Sequence, residues 1–417
     1  MKYPRFGRYS YLCVEAVLEF PSNVSLSELE VALQSFEISR LEDGPPFQGG
    51  LVGFFDYEFS DARSITETHF QPGREAAYFR VYDTVIAIDH LDDCYWVLSS
   101  GLSSTSRRSD RKAAQDRVKS ICNDIDSLLA RGAQPVNVDW HRQISDEHYA
   151  RKVKEVKTHI SAGDIYQANL SHALDGELPQ AVTRFDLYSA IRQSNPAPFS
   201  AFGSFGNRGI ACTSPERLFS ASAGGLIEAR PIKGTIPRSN DFDTDERLKE
   251  RLRNSAKDRA ENTMIVDLLR NDLSQVCLPN SVEIPELCKL ESYAGLHQLT
   301  SSVRGEMRDG LNAFDAFAAI FPGGSVTGAP KLRAMEIIDE LEQEPRRAFC
   351  GSFGYFGFDG AADFNIMIRT IQMDRTQLKL NIGGGITALS EPADELAETL
   401  LKAQKILDGT YADEEVI

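Results

Sequence analysis

Residues 245–273, DERLKERLRNSAKDRAENTMIVDLLRNDL, form the longest helical pattern of the chain. The second half carries the apolar run Met264-Ile265-Val266, as expected for a helix with one face against a core. Further helical patterns occur at residues 146–162, 186–194, 330–341 and 392–407. Strand-like runs separate them, but strands and helices do not alternate strictly, as they would in a doubly wound parallel sheet. The pattern therefore predicts an α+β fold.

The first 105 residues have a different pattern, made of short strands and turns. Residues 50–55 and 78–88 are typical of strands, and the loops around such runs are rich in Gly, Pro and Ser. A helical pattern follows, and residues 134–139 are typical of a connector. We therefore divide the chain into a region at residues 1–135 and a second region at residues 136–412.

The composition is that of a globular protein with a substantial core, since 42% of the 417 residues are hydrophobic. No signal peptide is evident and no apolar run approaches the ~18 residues of a membrane helix, so we expect a cytoplasmic protein.

The seven cysteines form no CxxC pair, which favours reduced thiols. A net charge of -16 argues against nucleic acid as the main partner, but a few converging cationic groups can still bind an anionic small molecule.

Lys233 is a candidate nucleophile. It lies in RPIKGT at residues 230–235, between a stiff Pro-Ile pair and a glycine. A solvent-exposed lysine is the alternative, because an amine needs a lowered pKa before it can attack a carbon atom near neutral pH. Glu216, in SPERL at residues 214–218, is either a surface turn residue or, if buried near Lys233, a general acid with a raised pKa.

Two helical segments carry carboxylates on one face. Asp258 and Glu261 are three residues apart, and Glu395, Glu398 and Lys402 line one side of the last helix. Each stripe alone is more typical of a solvated face with internal ion pairs. Together the four carboxylates offer oxygen ligands on two rigid helices, which suits a Mg2+ ion that also holds an anionic ligand.

Two glycine-rich segments are candidates for ligand contact. Residues 322–331, PGGSVTGAPK, lack the Lys-Ser or Lys-Thr of a Walker loop and are either an anion site at a helix N-terminus or a structural turn. Gly383, Gly384 and Gly385 follow a predicted strand and would let the backbone approach a ligand closely. Arg369 lies among apolar neighbours, so its guanidinium needs an anion or a structural carboxylate as partner.

These segments together resemble the chorismate-utilising enzymes, a family that includes component I of anthranilate synthase and the isochorismate and salicylate synthases. The resemblance covers residues 140–410 and rests on nine motifs in the family's order. They are GDIYQANL at 163–170, SPERL at 214–218, RPIKGT at 230–235, AKDRAEN at 256–262, VTGAPK at 326–331, CGSFGY at 350–355, IRT at 368–370, GGGI at 383–386 and ELAET at 395–399. The family implies a central sandwich of two antiparallel β-sheets with helices outside, in which residues 136–412 form the chorismate-binding catalytic domain and both regions share the sheets.

Two positions distinguish branches of this family. Anthranilate and isochorismate synthases look similar at residues 230–235 but have alanine in place of Lys233, and the water-activating enzymes carry lysine in place of Gln167. The pair Gln167 and Lys233 therefore resembles the branch that replaces the C4 hydroxyl of chorismate by an amino group, on the route to para-aminobenzoate and folate. The resemblance implies that Lys233 attacks C2, that Glu216 protonates the departing C4 hydroxyl, and that ammonia then attacks C4 and expels the lysine.

The same resemblance assigns the remaining site residues. It implies that Mg2+ is held chiefly by Glu261 and Glu398, with Asp258 and Glu395 in support. It places around chorismate the residues Gln167, Gly234, Thr235, His297, Ser325, Arg369, Gly383, Gly384, Gly385 and Lys402. His297 alone is more typical of a packed core histidine. Phe349 departs from the family pattern, in which a tyrosine is usual, and this removes a hydroxyl from the predicted carboxylate pocket.

The source of ammonia is expected outside this chain. None of the seven cysteines lies in a GxCxG-like nucleophile motif, so the family implies a separate glutamine amidotransferase subunit. One alternative is component I of anthranilate synthase, which Lys233 disfavours. Another is a non-catalytic paralogue that binds an amidotransferase, which the retained Glu216 and Lys233 and the metal-site glutamates disfavour.

Overall fold

The computed structural model describes residues 6–59, 75–103, 106–127, 136–292 and 296–411. The strands in these ranges are β1 (Tyr9–Val14), β2 (Leu18–Glu19), β3 (Gly50–Phe55), β4 (Ala77–Tyr82), β5 (Thr84–Asp89), β6 (Cys94–Ser99), β7 (His141–Arg142), β8 (Gln167–Glu177), β9 (Phe199–Phe205), β10 (Arg208–Ser214), β11 (Arg217–Ala221), β12 (Leu226–Arg230), β13 (Ile232–Pro237), β14 (Glu283–Ser292), β15 (Leu296–Glu306), β16 (Gly328–Ala329), β17 (Ser352–Gly357), β18 (Ala362–Asn365), β19 (Thr370–Asp374) and β20 (Gln377–Ile386). The helices are α1 (Leu26–Gln34), α2 (Arg111–Ser127), α3 (Asp146–Ala162), α4 (Arg184–Ser194), α5 (Phe242–Arg253), α6 (Ala256–Ser274), α7 (Ala313–Ile320), α8 (Lys331–Glu342) and α9 (Pro392–Asp408), and Gly324–Val326 forms a 3-10 turn. Within the described ranges, no helix combines the length and apolar character needed to span a membrane.

Two large antiparallel sheets form the centre of the fold. The ten-stranded sheet has the order β13-β15-β12-β11-β18-β17-β3-β4-β2, with β14 on β15. The seven-stranded sheet has the order β16-β8-β20-β19-β10-β9, with β7 on β8. In the first sheet β3 pairs with β17, so that Phe54 lies opposite Phe353. A small third sheet contains β1, β5 and β6.

Aromatic side chains fill the interface between the two large sheets. The ring of Phe54 in β3 lies 5.5 Å from the ring of Phe205 in β9, and Phe353 of β17 packs in the same cluster. Helices α1, α6 and α7 pack against the ten-stranded sheet, and α3, α4, α8 and α9 pack against the seven-stranded one. The predicted α+β sandwich with helices outside is confirmed.

Two predicted elements are divided in the structure. The helical pattern at residues 245–273 belongs to two helices, α5 and α6, because the chain turns at Asn254 and Ser255. Ser255 is extended and its side chain accepts a hydrogen bond from the Asp258 N–H, which caps α6. The predicted strand at residues 78–88 is split between β4 of the ten-stranded sheet and β5 of the small sheet.

The predicted boundary between residues 135 and 136 adjoins residues 128–135, which lie outside the described ranges, as does residue 412. Strands from both sides of this boundary belong to the ten-stranded sheet, since β3 and β4 continue it beyond β17. The division into residues 1–135 and 136–412 stays a prediction.

Candidate functional site

Strands of both large sheets approach the first turns of α6 and α9 closely. Gly234 in β13 has a φ of 77°, and a Cβ atom there would lie 2.8 Å from the Cβ of Asp258 in α6. Gly384 in β20 lies against α9, because its Cβ would lie 3.4 Å from Glu395 Oε2. Glycine at position 234 thus lets β13 pack directly on α6, whereas β20 and α9 are in ordinary van der Waals contact at Gly384.

Lys233 and Glu216 have pKa shifts in opposite directions. Lys233 Nζ donates a hydrogen bond to the Ser325 carbonyl oxygen at 3.3 Å. Burial lowers the pKa of Lys233, although Glu261 and Glu216 oppose the shift. Glu216 is only 5% exposed, and burial raises the pKa of its carboxyl against the opposing effect of Lys233. Both shifts favour the neutral forms, which a nucleophilic amine and a general acid require.

Glu261 of α6 and Glu398 of α9 bring two carboxylates from different helices together. Burial raises the pKa of Glu261, and the neighbouring carboxylates Asp258 and Glu398 add to the shift. Glu398 forms an ion pair with Lys402 at 2.8 Å. Burial would raise the pKa of Glu398, but the charges of Lys402, Lys257 and Lys233 and the hydrogen bond from Lys402 together outweigh burial, and the pKa is lowered. The two glutamates therefore differ in how readily they ionise.

Glu261 and Glu398 could hold a Mg2+ ion only together with water and an anionic ligand that supply the rest of its coordination. Within the described ranges, no three His, Cys, Asp or Glu side chains form a metal site by themselves. Glu261 Oε1, however, is buried and has no hydrogen-bond partner among the described residues. Mg2+ characteristically takes one or two protein carboxylates and fills its octahedron with water and anionic ligand atoms. Lys257 is the present counter-ion, with its Nζ 3.7 Å from Glu395 Oε1 and 4.0 Å from Glu261 Oε1.

Two buried polar side chains lie in or beside the glycine-rich segments. Gln167, the first residue of β8, is fully buried, and its amide oxygen and nitrogen make no hydrogen bond in the part of the chain that the structure describes. The Ser325 hydroxyl is also buried, and it lies close enough to the Glu216 carboxyl for a hydrogen bond between them to oppose the rise in the pKa of Glu216. A buried polar group without a partner costs about 1–3 kcal/mol. A polar ligand that reached these atoms would offset that cost.

Comparison with known proteins gives the family. Residues 9–408 match the family model described as chorismate binding enzyme. The chain belongs to the chorismate-binding enzyme family.

Two curated relatives and one solved structure illustrate the similarity within the chorismate-binding enzymes. Aminodeoxychorismate synthase of Streptomyces pristinaespiralis is 38% identical over 374 residues, which are 87% of this chain and 51% of that protein. Aminodeoxychorismate synthase component 1 of Salmonella typhimurium is 38% identical over 372 residues, 87% of this chain and 77% of the relative. The chain thus spans about half the length of the first relative. The crystal structure of anthranilate synthase component I from Streptococcus pneumoniae TIGR4 is 27% identical and covers 98% of this chain and 93% of its own, with a TM-score of 0.82.

Three residues predicted to contact chorismate differ in their surroundings. Arg369 has a φ of 52°, its carbonyl oxygen accepts hydrogen bonds from the Thr213 N–H and hydroxyl, and its charge acts on the nearby Glu216 carboxyl. His297 is fully buried, with one ring nitrogen 2.8 Å from Ser292 Oγ and the other 2.9 Å from Asp245 Oδ1. Thr235 is an exposed residue of β13. The Arg369 charge thus helps to stabilise the ionised form of Glu216, whereas hydrogen bonding ties His297 to α5.

Asn169 is a further buried polar residue of this chorismate-binding enzyme, and it was not predicted. Its Oδ1 atom has no hydrogen-bond partner among the described residues and lies 2.9 Å from where a Cβ of Gly383 would be. Lys402 Nζ donates to the Gly383 carbonyl oxygen at 3.2 Å. Asn169 follows Gln167 by two residues in one strand, so both side chains point to the same face. That spacing is the sequence signal for Asn169.

Phe349 lies in the main hydrophobic core and is 3% exposed. The Arg346 guanidinium is 5.7 Å from the centre of its ring. The predicted effect of the missing tyrosine hydroxyl on a carboxylate pocket stays a prediction.

Gly385→Ala is expected to lower kcat/KM for chorismate at least about tenfold, because the new Cβ would lie 2.5 Å from Gln167 Nε2 and force the buried amide to move. Steady-state kinetics checks this. Gly224→Ala is the matched control, since its Cβ would meet only Ser222 Oγ at 3.8 Å. Wild-type kinetics for Gly385→Ala would show that the Gln167 amide has no part in substrate binding.

Proposed function

We propose that this chain converts chorismate and ammonia to 4-amino-4-deoxychorismate, in the formation of para-aminobenzoate for folate. The observation that carries the proposal is the Lys233 amine, with a lowered pKa, beside the Glu216 carboxyl, whose pKa is raised. The names of the two relatives described above agree with it. Alanine in place of Lys233, as the resemblance gives for the branches that form anthranilate or isochorismate, could not provide a nucleophile.

In the first proposed step the neutral Lys233 amine attacks C2 of chorismate. Both ring double bonds shift, from C1=C2 and C5=C6 to C1=C6 and C4=C5, the C4–O bond breaks, and Glu216 gives its proton to the departing hydroxyl, which leaves as water. In the second step ammonia attacks C4, both ring double bonds shift back, and the C2–N bond breaks, so that Lys233 leaves the protonated adduct as a neutral amine. The proton lost by the incoming nitrogen restores the acid form of Glu216. Covalent catalysis thus replaces one inaccessible substitution by two accessible ones.

The remaining site residues are proposed to hold and orient chorismate. The amide of Gln167 and the hydroxyl of Ser325 supply hydrogen bonds, and Arg369 and Lys402 supply positive charge. The backbone of Gly383 to Gly385, together with Gly234 and Thr235, would complete the contacts, whereas His297, predicted as a contact, would hold β15 to α5 because both of its ring nitrogens already have partners. Glu261 and Glu398 would hold Mg2+, with Asp258 and Glu395 in support, and the ion would bind the ring carboxylate and withdraw electrons from the ring.

We further propose that ammonia comes from a separate glutamine amidotransferase. One relative is named component 1, which supports a second component. The proposed setting is the cytoplasm.

Product identity tests the proposed function. The purified chain, supplied with chorismate, Mg2+ and an ammonium salt at mildly alkaline pH, is expected to form 4-amino-4-deoxychorismate, identified by chromatography and mass. Anthranilate as the main product would instead show the anthranilate synthase reaction. No turnover, together with calorimetric binding of an amidotransferase, would indicate a non-catalytic paralogue.

Glu261→Gln is expected to raise the Mg2+ concentration for half-maximal activity at least about tenfold, because an amide oxygen is a weaker ligand than a carboxylate. Calorimetric titration of Mg2+ in the presence of chorismate provides a reading that does not depend on turnover. Glu336→Gln is the control, since Glu336 pairs with Arg333 on the exposed face of α8. An unchanged Mg2+ requirement would remove Glu261 from the metal site.

A further inference from the structure

Arg346 is a buried cation that the proposed chemistry does not use. It is 2% exposed and lies shortly after α8. Its Nε and Nη2 donate to the Glu342 carboxylate at 2.8 and 2.7 Å. Its Nη1 donates to the Val326 carbonyl oxygen at 2.9 Å, and Nη2 also donates to the Asn169 carbonyl oxygen at 2.5 Å. One guanidinium therefore joins α8, the 3-10 turn and β8.

Glu342 extends the same network along β8. Its Oε1 accepts hydrogen bonds from the Ser171 N–H at 2.7 Å and from the Ser171 hydroxyl at 2.8 Å. The ring of Tyr57 covers the guanidinium, with its centre 4.8 Å away, and Phe349 contacts it from a second direction. The pair is thus enclosed by aromatic rings and bound to backbone.

The atoms held by Arg346 are immediate neighbours of the candidate site. Ser325, whose carbonyl oxygen accepts the Lys233 hydrogen bond, directly precedes Val326. Asn169 follows Gln167 by two residues in β8, and its N–H donates to the Thr327 carbonyl oxygen at 2.8 Å. A shift of the guanidinium would therefore move the acceptor of the Lys233 amine and the strand that carries Gln167.

Stability alone is a weak reason for such a pair, because desolvation offsets much of the attraction between buried ions. A planar guanidinium with fixed donor directions is, in contrast, well suited to hold two carbonyl groups and a carboxylate in one arrangement. The geometry therefore indicates that Arg346 holds neighbouring groups in place rather than contributing mainly to the overall stability of the fold.

We propose that Arg346, together with Glu342, is a positioning residue for the reaction, which fixes the 3-10 turn against β8 and so places the Lys233 amine and the Gln167 amide. The inference rests on the proposed function, since it assigns Lys233 and Gln167 to the chemistry. Arg346 acts through these residues and does not touch the substrate.

Arg346→Lys tests the proposal, because lysine keeps the charge beside Glu342 but lacks the fork that reaches both carbonyl groups. We expect kcat to fall about tenfold to a hundredfold while KM for chorismate changes by less than about threefold. We also expect a larger share of anthranilate-type product, since ammonia can attack C2 directly when the Lys233 amine is misplaced. Arg333→Lys, in an exposed ion pair on α8, is the control and is expected to behave as wild type.

A second variant covers the case in which Arg346→Lys does not fold. Ser171→Ala removes only the hydroxyl donor to Glu342, and we expect kcat to fall about twofold to fivefold with KM unchanged. Unchanged kcat in the folded variants, or a rise in KM with constant kcat, would overturn the positioning role. The product of the wild-type enzyme is identified in parallel, which tests the proposed function separately. The changes in kcat and KM of the variants can be measured whichever product the wild type forms, so failure of the positioning role is distinguishable from failure of the proposed function.

Discussion

Lys233→Ala is expected to lower the rate of 4-amino-4-deoxychorismate formation at least about a hundredfold, because the proposed route to C4 begins with attack of the Lys233 amine at C2. The Lys233 amine is held by the Ser325 carbonyl oxygen, and its burial lowers the pKa, so that more of it is neutral near physiological pH than for a free lysine. Turnover of chorismate with ammonium, followed by chromatography, gives rate and product together. Part of the remaining turnover is expected as anthranilate-type product, since ammonia can still attack C2 directly.

Lys233→Arg separates nucleophilic from electrostatic roles. Arginine keeps the positive charge near Glu216 and Glu261 but is not deprotonated in proteins, so it cannot attack. We expect a loss as large as that of the alanine variant. Wild-type rate and product in the alanine variant would exclude a covalent role for Lys233. Wild-type rate and product in the arginine variant alone would show that Lys233 acts only through its positive charge.

Glu216→Gln is expected to lower kcat by about 10²- to 10⁴-fold, the usual contribution of a general acid. Glutamine has nearly the same shape but no acidic proton, so the C4 hydroxyl must leave without protonation. Steady-state kinetics measures the loss. Glu228→Gln is the control, since this partly buried carboxylate pairs with Arg304 and Ser302. A kcat within about threefold of wild type would exclude Glu216 as the acid.

The pH profile gives a second reading for Glu216. Burial raises the pKa of its carboxyl, so the acid form persists to higher pH than in a free glutamate, and activity is expected to fall as the pH rises through that raised pKa. Lys233 determines the rising limb of the pH profile, at lower pH, because the neutral amine becomes available as the pH rises through its lowered pKa. Glu216 determines the falling limb, at higher pH. In Glu216→Gln we expect the falling limb to disappear while the rising limb remains. A wild-type pH profile in this variant would contradict the assignment.

The fold class followed from the sequence because helical and strand patterns do not alternate strictly, and the structure has antiparallel sheets in which β8 pairs with β20, about two hundred residues later in the chain. Such long-range pairing leaves no local pattern, and it is this pairing that places the Gln167 side chain next to Gly385. The division at Ser255 was missed because the helical periodicity on both sides of it resembles one continuous helix. Ser255 is nevertheless a favourable capping residue.

Lys233, Glu216 and the paired carboxylates were predicted because their motifs carry the chemistry in a short stretch of sequence. Arg346 was not predicted, since arginine is usually exposed and nothing in its sequence neighbourhood distinguishes a buried one. Glu342 is its local partner, but the two carbonyl groups that it also binds lie in the 3-10 turn and in β8, 20 and 177 residues earlier in the chain. Only the assembled sheets bring these groups together.

The pairing of early and late segments has a consequence for synthesis on the ribosome. Strand β3 adds to the ten-stranded sheet beside β17, about three hundred residues later in the chain, and the last carboxylates of the site belong to α9, which ends at Asp408. A nascent polypeptide that stops before α9 contains Lys233 and Glu216 but lacks Glu395, Glu398 and Lys402. Under the proposed function, neither Mg2+ nor chorismate could therefore stabilise a partly translated chain through the complete site, so that ligand binding can contribute to folding only after α9 has been made.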